Sequence, residues 1–169
     1  FEKAVLGTLS YLDARLQKGS HVVFGGLVDG RVLYDTMHAL QHPVGASYED
    51  VYGMLNCLEL SPCWGWMNAN ATVRNMTSDH AQLLNTVYGK IIREHNFTTF
   101  DMFYVDTFSL LNKAWRDWVA SGHRARDLIE PTDGFHPSQT ANALLAGTLW
   151  ANISAGFPQA IGRVNPFND

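Results

Sequence analysis

HVVFGGL, residues 21–27, and FDMFYVD, residues 100–106, are the two stretches that decide the fold. Both are continuous apolar runs without the polar alternation of a half-solvated strand. Such runs predict strands buried on both faces, as in a parallel sheet covered by helices. Around them lie helical patterns. Val5, Leu9, Leu12 and Leu16 share one face of a segment over residues 4–16, which Lys18-Gly19-Ser20 ends. Residues 48–56 predict a short helix. Thr77 or Ser78 is expected to cap a long helix with Ala81, Leu84, Val87, Tyr88, Ile91 and Ile92 inward. Phe108, Leu111, Trp115 and Trp118 stripe a further helix. Pro137 suits the first turn of a last one, with Ala141, Leu144, Leu145, Thr148 and Leu149 inward. Residues 28–47 and 122–136 read as irregular.

Strands alternating with helices predict an α/β layer fold. Two buried parallel strands cannot form a stable sheet alone. The expectation is therefore one domain over residues 1–169 whose remaining sheet is supplied by an N-terminal partner segment. The first residue, Phe1, already lies in a helical pattern, which reads as a cut from a longer precursor.

The 169 residues carry a formal net charge of -4 and no basic run. That speaks against nucleic acid as a partner, because phosphate binding needs clustered Lys or Arg. No apolar run approaches the roughly 20 residues of a spanning helix. Four N-x-Ser/Thr sequons, at Asn70, Asn75, Asn96 and Asn152, point to glycosylation and the secretory route, secreted or endo-lysosomal. Cys57 and Cys63 are the only cysteines and lie in a turn-rich stretch, NCLELSPCWGW. A local disulfide suits a secreted protein; two free thiols, or pairing outside the chain, remain the alternatives. No His pair at ligand spacing accompanies them, so no metal site is expected there.

The chemistry-bearing run is Asp133-Gly134-Phe135-His136-Pro137. A serine hydrolase needs an imidazole to take the hydroxyl proton and a carboxylate to orient that ring. A spacing of three lets both side chains leave one turn. An Asx turn beside a helix start explains the same spacing without catalysis. His38 and His42 lie after the first strand, where loops of an open α/β sheet border the site, so both are candidate substrate contacts. Trp64, Trp66 and Tyr52 are candidate lining for an acyl pocket, or else core. Asp29 and Asp35 are possible cation ligands that no spacing supports.

DGFHPS between a final loop and a final helix resembles the last block of the SGNH (GDSL-type) esterases and lipases. GSHVVFGGLVDG, His42-Pro43, YGMLNCLELSPCWGWM, FDMFYVD, LIEPTDGFHP and NPFN extend the likeness along the chain, toward a branch of that family acting on bacterial lipopolysaccharide. The resemblance implies the C-terminal half of a flavodoxin-like three-layer α/β/α hydrolase, with Asp133 and His136 as two members of its triad. It implies hydrolysis of fatty-acyl esters of lipids and a saposin-like lipid-binding domain elsewhere. It also implies calcium in the complete protein, with no cofactor assigned to this chain. The family's Gly-Asp-Ser nucleophile block and its oxyanion Gly and Asn have no counterpart here, and none of the nine serines has such a context. Another lipid or glycan esterase of the same fold, or an inactive lipid-binding relic, are the alternatives.

Overall fold

The computed structural model describes residues 1–61 and 63–163. Helix α1 (Glu2–Asp13) leads into strand β1 (Ser20–Gly25). Helices α2 (Arg31–Met37), α3 (Tyr48–Cys57) and α4 (Ala71–Glu94) precede strand β2 (Phe100–Val105). Helix α5 (Thr107–Ala120), a 3-10 turn at Ala125–Leu128, helix α6 (Gln139–Gly156) and a 3-10 turn at Pro158–Ala160 follow. The strands pair in parallel, with Ser20 opposite Phe100 and Gly25 opposite Val105. The chain is thus α/β, as its sequence predicts.

Register sorts the side chains onto two faces, because successive residues of a strand point oppositely. Val22, Phe24 and Met102 join Phe100 against Leu9 of α1 and Ile91 of α4. Phe24 and Tyr104 also stack on Tyr88 of α4. On the other face Phe103 packs against Phe157 at 4.4 Å, and Phe103 and Val105 are buried. The β1 half of that face is open: His21, Val23 and Gly25 are exposed, Val23 by 41%. The expectation of a strand buried on both faces therefore fails for β1. Helices cover both faces of β2 but only one of β1.

A second core lies beyond the strand ends. Tyr34, Met37, Tyr48, Tyr52, Met67 and Ile129 are buried together, with Trp115 and Phe135 against them. It contains α2, which falls inside the span read as irregular. Seven residues hold barely two turns, too few for a legible period. Helix α4 starts earlier than expected. Its N-cap is Asn70, whose side chain accepts from the Thr72 N–H. Thr77 lies inside the helix and donates back to the Val73 carbonyl, and Ser78 is fully buried. At α6 the cap is Ser138, one residue after Pro137.

The expected local disulfide is absent: Cys57 and Cys63 are both free. Cys57 is exposed at the end of α3, whereas Cys63 packs on the second core, so the two sulfurs face different surroundings. Pro62, between them, and the NPFN run lie outside the described residues. Asn70, Asn75 and Asn96 are exposed; Asn152 is half-buried within α6.

Candidate active site

A closed loop between the second 3-10 element's predecessor, Ala125–Leu128, and α6 carries Asp133 and His136. Its stem is tied by an antiparallel bridge of Ile129 with Pro137. The Glu130 N–H donates to the His136 carbonyl at 2.9 Å, and the Ser138 N–H to the Leu128 carbonyl at 3.0 Å. Within the loop Asp133 folds back on itself. Its Oδ1 accepts from the Phe135 and His136 N–H groups at 2.8 and 2.9 Å. Its Oδ2 accepts from the His136 ring Nδ1–H at 2.7 Å. The Asx turn and the Asp–His pairing are therefore one geometry, with one carboxylate serving both.

Burial pushes the Asp133 carboxyl up, but the His136 ring and the two backbone N–H donors outweigh it and hold it below the ordinary value. An ionised Asp133 fixes the tautomer with hydrogen on Nδ1, which leaves Nε2 as the acceptor. The His136 side chain is 68% exposed, and its Nε2 has no partner among the described residues. A lone pair held toward solvent by an oriented ring is what removal of a hydroxyl proton requires. No serine hydroxyl of the described residues bonds that ring. Ser138 is committed to the Asp127 carbonyl and the α6 cap, and Ser78 to Asp29 and Trp66.

An apolar cavity of about 260 Å³ opens beside the loop. Phe135 and Pro137, which flank His136, form one wall; Leu33, Trp66, Leu111 and Leu145 form others. Trp66 is thus where an acyl pocket would need it. Trp64 is not among the lining residues and is exposed, and Tyr52 is buried in the second core.

The two other candidate histidines, His38 and His42, are bound within the protein. His42 is 6% exposed. Its Nε2–H donates to the Thr132 carbonyl at 2.8 Å and its Nδ1 accepts from the Val44 N–H at 3.1 Å. With both nitrogens occupied within the protein, its expected substrate contact is replaced by a bond to the loop carrying Asp133. His38 stacks on Tyr34 at 4.8 Å and donates from Nδ1 to the Tyr34 carbonyl at 2.7 Å, at the end of α2. Neither His38 nor His42 lines the cavity.

The acidic residues considered for a cation are taken by arginines. Asp29 pairs with Arg31 at 2.6 Å and Asp35 with Arg74 at 3.0 Å. No cluster of three or more His, Cys, Asp or Glu among the described residues could hold a metal ion.

The sequence offers no reading for Tyr48, and for Tyr52 only pocket lining or core; the structure gives the two a shared position at the loop that carries Asp133 and His136. Both are buried and point their hydroxyls at that loop, to the carbonyls of Pro131 and Gly134. Their signal is two tyrosines one helical turn apart, at i and i+4 of one helix face.

No family model matches the chain. Among curated proteins it is 41% identical to acyloxyacyl hydrolase of Homo sapiens, 41% to that of Mus musculus and 40% to that of Oryctolagus cuniculus, each over 97% of the chain. It spans 29% of the length of each of those relatives. Similarity of that order along nearly the whole chain makes it homologous to about three-tenths of the acyloxyacyl hydrolases.

Proposed function

We propose that this chain supplies the Asp–His arm of a lipid-ester hydrolase, with a serine nucleophile contributed by an N-terminal segment of the same precursor. The observation that carries this reading is the 2.7 Å bond from the His136 Nδ1–H to an ionised Asp133, with Nε2 open to solvent. The names of its homologues and the adjoining apolar cavity support it.

In this mechanism His136 Nε2 takes the serine proton as the oxygen attacks the ester carbonyl. The resulting imidazolium is stabilised by Asp133 and returns its proton to the departing alkoxide. Water then repeats the sequence on the acyl-enzyme. The cavity beside Phe135 takes the fatty chain. Its substrates are fatty-acyl esters of lipids, with the acyl chains of lipopolysaccharide first. The exposed sequons at Asn70, Asn75 and Asn96 support a secretory route, secreted or endo-lysosomal, as part of this reading. The free edge of β1, opposite β2, is where further strands would pair, and its open half-face is where a further layer would pack; in this reading the chain forms the C-terminal part of one catalytic domain. No helix among the described residues is long and apolar enough to cross a membrane.

The test uses the intact protein. A fluorophosphonate probe should label a serine outside this chain, and His136→Ala should lower ester turnover by roughly 10⁴-fold or more. Absence of labelling, or wild-type turnover in His136→Ala, would refute the proposal and favour a lipid-binding relic.

A further inference from the structure

We propose that Tyr48, Tyr52 and His42 are positioning residues that clamp the backbone around Asp133 and so set the Asp133–His136 geometry; this rests on the function proposed above. All three are buried, and each spends a donor on the same four-residue window. Tyr48 donates to the Pro131 carbonyl. His42 Nε2–H donates to the Thr132 carbonyl at 2.8 Å. Tyr52 donates to the Gly134 carbonyl at 2.5 Å. The carbonyls on both sides of Asp133 are therefore held from outside the loop, and the carboxylate in turn holds the His136 ring.

The clamp is rigid because its members brace one another. Tyr48 and Tyr52 are one turn apart on α3, with ring centroids at 6.0 Å. His42 meets Tyr48 edge to face at 4.9 Å. Burial pushes both phenol groups up, so they stay donors throughout the working pH range. Gly134 closes the arrangement, since its backbone passes directly under the two rings. Buried tyrosines satisfy their hydroxyls wherever they can. Convergence of three donors on one loop exceeds that need, because Pro131 and Thr132 are exposed and their carbonyls could be met by water instead.

The test uses Tyr48→Phe and Tyr52→Phe in the intact protein, since each removes one oxygen and keeps the ring. Each should lower kcat about tenfold with KM within about twofold, because misplacement of a reacting group by a fraction of an ångström acts on the chemical step. In the folded variants the downfield proton resonance of His136 Nδ1–H should shift or broaden. Two results overturn the clamp: kcat within twofold of wild type in both variants, or a lower kcat with that resonance unchanged, which marks a purely structural role. Failure of the underlying function appears separately, as retained turnover in His136→Ala, and the proton resonance then still reports whether the tyrosines hold the pair.

Discussion

Replacing Gly134 by alanine probes the Asp133–His136 loop at its tightest point. Gly134 has φ +66°, in the left-handed region. A Cβ there would lie 2.6 Å from two ring carbons of Tyr48 and 2.8 Å from the Tyr52 hydroxyl oxygen. Two costs add. Left-handed backbone with a Cβ costs about 1–2 kcal/mol. Forcing a methyl into a filled space costs about 1–3 kcal/mol more, and here the obstructing atoms belong to rings fixed in a core. The expected total is about 2–5 kcal/mol. Gly122 separates the two terms, because its φ is +89° but nothing lies within 4 Å of its Cβ position. Gly122→Ala should therefore show the backbone cost alone, about 1–2 kcal/mol. Urea unfolding of both variants at equal m-value gives the comparison. If Gly134→Ala is no more destabilising than Gly122→Ala, the rings do not press on the loop and the reasoning fails.

Three further outcomes follow from the geometry. Because the Asp133 carboxyl is held below its ordinary value, its contribution to loop order is present above the unfolded value of about 3.9 and disappears as the pH falls through the lower folded value. With the side chain 42% exposed, screening limits it to about 1 kcal/mol or less, so the readout is slowed exchange of the Phe135 and His136 amides near pH 5 that is lost in strong acid; equal exchange in Asp133→Ala at pH 5 would contradict it. Ser78→Ala should cost about 1–3 kcal/mol, since the buried hydroxyl accepts from Trp66 Nε1–H and donates to Asp29, and a loss under 0.5 kcal/mol in thermal unfolding would count against that link. Without reductant both Cys57 and Cys63 should alkylate, Cys63 more slowly because it is half-buried and its thiol is pushed up by burial; a native mass two hydrogens light, with no alkylation, would restore the disulfide.

What the sequence reveals depends on how far apart the interacting residues lie. Asp133 and His136 are three apart, and the same turn that makes the spacing recognisable makes their bond. Both strands were legible as apolar runs. The exposure of Val23 was not, because a strand carries no mark of whether its covering layer is on the same chain. Helix α2 hid among Gly30, Pro43 and Gly45, and the start of α4 hid because Thr77 and Ser78 are better cap types by composition than by position. His42 was placed near the site for a reason of topology and found there for another. Its partner, Thr132, is 90 residues away, and no local pattern announces a ring nitrogen aimed at a distant carbonyl.

The double grip of Asp133 has a mechanical consequence. One oxygen holds the backbone of His136 and the other holds its ring. The histidine is moored at both ends to a single group, so displacing the turn carries donor and acceptor together. Anchored from behind by Tyr48, Tyr52 and His42, this moored unit works as a fixed jig, in which ring and carboxylate cannot drift apart without breaking both bonds.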